Sequence, residues 1–83
     1  MNQVKGVYGG NVVVDGPDVL VTFPTGTTSR QTIAKTDLLN EAYGEGSGSL
    51  NGFHFILAGR SFQIMRGENT LVLDVDELRS VLL

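Results

Sequence analysis

Apolar and polar residues alternate along most of the chain, and glycines interrupt the alternation at short intervals. Residues 2–8 alternate loosely and stop at Gly9-Gly10. Residues 11–15 are rich in β-branched side chains and predict a strand, broken by Gly16-Pro17-Asp18. In residues 19–23, Val19, Val21 and Phe23 share one face and Leu20 and Thr22 the other. Pro24 and Gly26 punctuate again. Residues 27–35 carry two signals. Thr28 and Gln31 have the spacing of a helix capping box. Thr27, Thr28, Thr32 and Ile33 suit a solvated edge strand. The strand is the preferred reading, in a hairpin with Thr25-Gly26-Thr27 near its tip. A short helix then starts after Thr36, with Thr36 as N-cap, Asp37 in the first turn and Gly44 as the stop. Leu38, Leu39 and Ala42 form its inward side.

The pattern is cleaner downstream. Phe53, Phe55 and Leu57 share one face of residues 53–58, and Gly59-Arg60 turns the chain. Residues 61–65 alternate around Phe62 and Ile64, and residues 66–69 turn it again. Leu71, Leu73 and Val75 share a face of residues 70–75. A helix over 76–82 follows, with Asp74 as N-cap, Glu77 at capping-box spacing, and Leu78, Val81 and Leu82 as its apolar stripe. Between these regions, residues 44–52 are dominated by glycine and serine. They have little to bury and read as a flexible tether, natural or engineered.

The expected organisation is one domain over residues 1–83: a first half to residue 43, the tether, and a second half from residue 53. The expected fold is β-rich α+β. Six or seven short, mostly antiparallel strands form a curled sheet or small barrel with two short helices, because the turns are too short for parallel crossovers. The halves also rhyme as a βββα pseudo-repeat. Gly16 pairs with Gly59, Gly26 with Gly67, Asp37 with Asp76, and Leu39 with Leu78. Ancient duplication and the chance recurrence of strands and glycine turns both produce such a rhyme.

Composition narrows the function classes. A chain of 83 residues makes a thin core, in which a deep catalytic cleft is hard to accommodate. The thin core, with Thr-rich or apolar strand edges, points to a homodimer. A net charge of −3 with scattered Lys and Arg argues against nucleic acid. Zero cysteines remove disulfides and thiol chemistry, and fit a reducing compartment. No apolar run approaches the length of a membrane span, and residues 1–6 do not resemble a signal peptide. The expected location is cytoplasmic.

Candidate chemistry is sparse. His54 is the single histidine, so no multi-histidine metal site exists. It sits on a strand face opposite Phe53 and Phe55. Asp74, Asp76 and Glu77 are dense enough to consider for hydrolysis or a cation, but helix capping and the helix dipole explain acids at that position. Thr27, Thr28, Ser29 and Arg30 offer hydroxyls, N–H groups and a guanidinium that could hold a small anion or nucleotide, although the G-x-x-x-x-G-K-[ST] spacing is absent. Leu20 and Val72 fall on outward strand faces, and Tyr43 is of a residue type enriched at interfaces as well as at core edges; these three are candidate interface residues. No cofactor, metal site or catalytic residue is expected. The leading expectation is a non-enzymatic protein-binding module, acting as an accessory, regulatory or inhibitor protein with an unidentified protein partner; a viral origin is one reading. The alternative is a binder of a small anionic ligand at residues 27–30 or at a dimer seam.

Overall fold

Each half of the chain builds the same run of elements. The computed structural model describes residues 2–24, 31–44 and 46–83. The first half contains β1 (Gln3–Lys5), β2 (Asn11–Asp15), β3 (Asp18–Thr22), β4 (Gln31–Ala34) and α1 (Lys35–Ala42). The second contains β5 (Ser47–Leu50), β6 (Phe53–Ala58), β7 (Ser61–Arg66), β8 (Asn69–Asp74) and α2 (Val75–Leu82). Within each half every strand pairs antiparallel with its neighbour in sequence, giving two open four-stranded sheets in the orders β1-β2-β3-β4 and β5-β6-β7-β8. The α+β, β-rich class is as expected. The strand number and closure are not: the described residues form eight strands rather than six or seven, in two open sheets and no barrel. A helix ends each run of four strands, so β4 leads into α1 and β5 opens a separate ladder.

The repeat unit is therefore ββββα rather than βββα. Gly16-Pro17 joins β2 to β3 and Gly59-Arg60 joins β6 to β7, with φ of 61° at Gly16 and 63° at Gly59. A positive φ at the first central residue, followed in the first half by a proline that cannot share it, specifies a II′-type hairpin turn there. Each helix ties itself back to this turn. Lys35 donates its N–H to the Pro17 carbonyl and Val75 donates to the Arg60 carbonyl, both at 2.8 Å. Similarly, Val14 donates to the Asn2 carbonyl at 2.7 Å and Leu57 to the Gly46 carbonyl at 2.6 Å.

Register makes the correspondence residue by residue. Val12 faces Val21 as Phe55 faces Ile64, and Val19 faces Ile33 as Phe62 faces Leu73. Carried into the helices, this matches Asp37 with Glu77 and Leu38 with Leu78. The expected pairs, Asp37 with Asp76 and Leu39 with Leu78, are one residue out of step. The cause is the start of α1 at Lys35, ahead of the expected cap at Thr36. Ala34 holds the N-cap position and has no polar side chain to cap it, while the Pro17 carbonyl takes the first helical N–H. The expected match of Gly26 with Gly67, and the hairpin tip at Thr25-Gly26-Thr27, lie outside the described residues. The choice of strand over helix holds for residues 31–34.

The glycine- and serine-rich segment is not simply a tether. Its residues 47–50 form β5, paired with β6. The reason is the Asn51-Gly52 turn, with φ of 50° and 87°: both are positive, as a I′ hairpin turn requires. Leu50 supplies an apolar side chain that packs against the core.

One hydrophobic cluster draws on both halves. Val12, Val19, Val21 and Ile33 face inward from the first sheet, and Phe55, Phe62, Ile64, Leu71 and Leu73 from the second. Leu38 and Ala42 of α1 and Val75, Leu78 and Leu82 of α2 complete it. The helices touch each other, and α2 rests on β1 as well as on its own β8. Arg79 of α2 clasps the end of α1: its Nε donates to the Ala42 carbonyl at 2.8 Å and its guanidinium lies 4.5 Å from the Tyr43 ring centre. A free carbonyl at the end of α1 thus receives its donor from the other half. Among the described residues no helix is long and apolar enough to cross a membrane.

Candidate functional site

β5 is the thinnest strand of the fold, and its sequence, Ser47-Gly48-Ser49-Leu50, explains why. Ser47 and Ser49 point to the outer face of the second sheet, beside Ile56 and His54. Gly48 and Leu50 point to the core side, and Gly48 contributes no side chain at all. A Cβ placed on Gly48 would collide with the Glu41 carboxylate of α1. That carboxylate fills the place a side chain would take.

The ladder fixes which backbone groups are free. Leu50 and Phe53 flank a two-residue turn and so form a hydrogen-bonded pair. Such pairs recur at every second residue, which gives Gly48 with Phe55 and then Gly46 with Leu57; the Leu57-to-Gly46 hydrogen bond has that phase. The N–H and C=O groups of Ser47 and Ser49 therefore point away from β6. Among the described residues no backbone hydrogen bond takes them up. Charged residues, proline and bulges are the usual protections of such an edge, and β5 carries no charged residue and no proline. Two of the other edges carry contacts: α2 lies against β1, and Val7 donates its N–H to the Val72 carbonyl of β8 at 2.8 Å.

Hollows lie on both sides of this strand. On the core side, a cavity of about 220 Å³ is lined by Asn40, Glu41, Gly44, Gly46, Ser47, Gly48, Phe55, Leu57 and Phe62. On the outer side, a shallower concavity of about 610 Å³ is lined by Ser47, Gly48, Ser49, His54, Phe55, Ile56, Met65 and Gly67. Ile56 is 38% exposed, among the more exposed large apolar residues. The small side chains of β5 do little to fill either hollow.

Of the residues singled out from sequence, the described ones lie on separate elements. Thr27, Thr28, Ser29 and Arg30 lie outside the described residues. Leu20 is half-buried on the outward face of β3, between Val13 and Thr32. Val72 is half-buried on the outward face of β8, opposite Gln63. They belong to different sheets. The separation arises because β4 and β5 do not pair. Tyr43 is exposed at the end of α1, under the Arg79 guanidinium. His54 is exposed on the face opposite Phe53 and Phe55.

The acidic cluster is resolved into capping. Asp74 caps α2 by accepting the Asp76 N–H at 2.9 Å. Arg60 reaches Asp74 at 2.9 Å and Asp76 at 3.4 Å. The Asp76 backbone N–H, helped by the Arg60 charge, holds the Asp74 carboxyl below the ordinary carboxylate range despite some desolvation. Among the described residues no group of three His, Cys, Asp or Glu side chains could hold a metal ion.

Sequence reasoning missed Ser47, Gly48, Ser49, Glu41, Ile56 and Met65. The Asn51-Gly52 dipeptide was the available signal, since it marks a hairpin and so implies a strand before it. Comparison with protein-family models, curated proteins and solved structures gives no match for this chain.

Proposed function

We propose that the protein is a non-enzymatic protein-binding module that receives an extended segment of its partner along the free edge of β5. An accessory, regulatory or inhibitor role follows from that activity. The observation that carries the reading is the row of outward N–H and C=O groups on Ser47 and Ser49, with a hollow on each side of the strand. In strand addition, main-chain hydrogen bonds supply affinity and pockets for alternate side chains supply specificity. The edge offers both. Each neutral hydrogen bond contributes only about 0.5–1.5 kcal/mol net, so the side-chain hollows are needed for useful affinity.

The test uses a displayed library of random twelve-residue peptides selected on the wild-type protein and re-assayed on S49P. The Ser49 N–H faces outward, so proline removes a docking donor without removing a bond of the β5–β6 ladder, and proline is tolerated on edge strands in that orientation. A second variant, S47P, removes the other outward N–H. Selected peptides are expected to lose about tenfold or more on either folded variant. Peptides that bind both variants as tightly as wild type, or a library that yields no binder, overturn the reading.

A further inference from the structure

We propose that the β5 edge selects a strand with a basic residue at its centre: Lys or Arg opposite Gly48, flanked by apolar residues opposite Ser47 and Ser49. This rests on the strand-addition reading above. Residues facing each other across an antiparallel ladder project to the same side of the sheet. A partner residue opposite Gly48 therefore enters the core-side cavity of about 220 Å³. The floor of that cavity is apolar, with Leu57 and Phe62, and the Glu41 carboxylate lies against Gly48 at its rim. An aliphatic stem ending in a cation matches this order of surfaces.

Glu41 is half-buried and has no ion pair or side-chain hydrogen bond among the described residues. The arginines of the second half are engaged elsewhere. Arg60 holds Asp74 and Asp76, Arg66 lies 4.6 Å from the Phe53 ring centre, and Arg79 holds the end of α1. A partly desolvated carboxylate gains most from a cation that also donates hydrogen bonds. The chain's net charge of −3 adds a weak long-range attraction of the same sign. Partner residues opposite Ser47 and Ser49 fall on the outer side, into the concavity formed with His54, Ile56 and Met65.

The same geometry disfavours a second copy of this chain as the occupant. Two β5 strands paired about a two-fold axis at Gly48 place Ser47 opposite Ser49 and leave Gly48 facing Gly48. The two Glu41 carboxylates then approach each other, and like charges at close range oppose the assembly.

The probe is a synthetic octapeptide with Thr-Val-Lys-Val-Thr at its centre, compared with peptides carrying norleucine or Glu in place of the Lys. Binding is followed by NMR titration of the labelled protein at low salt. The Lys peptide is expected to bind wild type about tenfold more tightly than the norleucine peptide, and the Glu peptide more weakly still. E41Q, which keeps the shape of the side chain, is expected to erase the preference while keeping norleucine binding. E41K is expected to favour the Glu peptide. Equal binding of all three peptides to wild type, with binding still lost in S49P, overturns the charge selection and leaves strand addition standing. Binding that S49P does not change overturns strand addition itself. A dimer mass that S49P converts to monomer overturns the choice of a basic peptide over a second copy.

Discussion

The two halves share a ladder but fill it differently. Where the first half buries Val12, Val19, Val21 and Ala42, the second buries Phe55, Phe62, Ile64 and Leu82. The second half joins β7 to β8 through residues 67–68, whereas residues 23–30 separate β3 from β4. Asp74 caps α2, and Ala34 leaves α1 without a side-chain cap. The first half draws instead on the second: α2 lies on β1, and Arg79 takes up the Ala42 carbonyl. One pattern of backbone hydrogen bonds thus tolerates two sets of core side chains, the smaller set being completed by the other half within a single cluster. The cost of each extra buried methylene lost is about 0.8 kcal/mol, so the difference should be measurable.

The largest expected contrast is between matched core positions. Phe62→Ala should cost about 3–5 kcal/mol, the usual range for truncating a buried phenylalanine. At the matching position, Val19→Ala removes much less apolar surface and should cost roughly 2 kcal/mol. Urea unfolding of both variants measures the difference. Equal losses would show that the two halves carry the core equally, and the comparison would fail.

A smaller effect comes from giving the first half what the second already has. Ala34 has an extended backbone, with φ −61° and ψ 136°, as an N-cap residue requires. Ala34→Ser should therefore stabilise the protein by about 0.5–1 kcal/mol without changing the fold. No gain in the unfolding midpoint would mean that the Pro17 carbonyl already satisfies the start of α1 and that capping does not distinguish the halves.

The smallest contrast is one of pH. The folded-state pKa of Asp74 is lowered, so its charge stabilises the protein above the ordinary carboxylate range and loses that effect as pH falls through the folded value. Asp74→Asn keeps a capping oxygen but has no charge to titrate. Wild type should be the more stable at neutral pH, and its advantage should shrink below about pH 4. A constant gap between the two proteins from neutral pH to acid would remove Arg60 and Asp76 as the source of the shift.

Legibility in the sequence followed the strength of local signals. Phe53, Phe55, Phe62 and Ile64 alternate without interruption, and their strands were read nearly to the residue. Asp74 was read as a cap because its side chain acts on its own neighbours. Thr36 was misread for the complementary reason: the group that starts α1 is the Pro17 carbonyl, eighteen residues upstream. β5 was missed because Ser47, Gly48 and Ser49 have weak strand propensity, and their pairing depends on β6. The candidate site was almost illegible, since Glu41, Gly48 and Leu57 meet only after α1 and β5 pack.

Sequence alone determined the α+β class, the β2–β3, β6–β7 and β7–β8 hairpins, the inward faces of the strands and the cap of α2. All of these depend on residues within one or two turns of chain, where alternation and turn chemistry act directly. Tertiary structure alone decided that the strands divide into two open sheets, that α2 rests on the first sheet, and that β5 has an edge unpaired among the described residues, between two hollows. Those outcomes depend on which surfaces remain uncovered once distant segments have packed. A residue such as Gly48 carries no trace of that in itself: what matters there is the side chain it lacks and the carboxylate, from a different element, that fills the space.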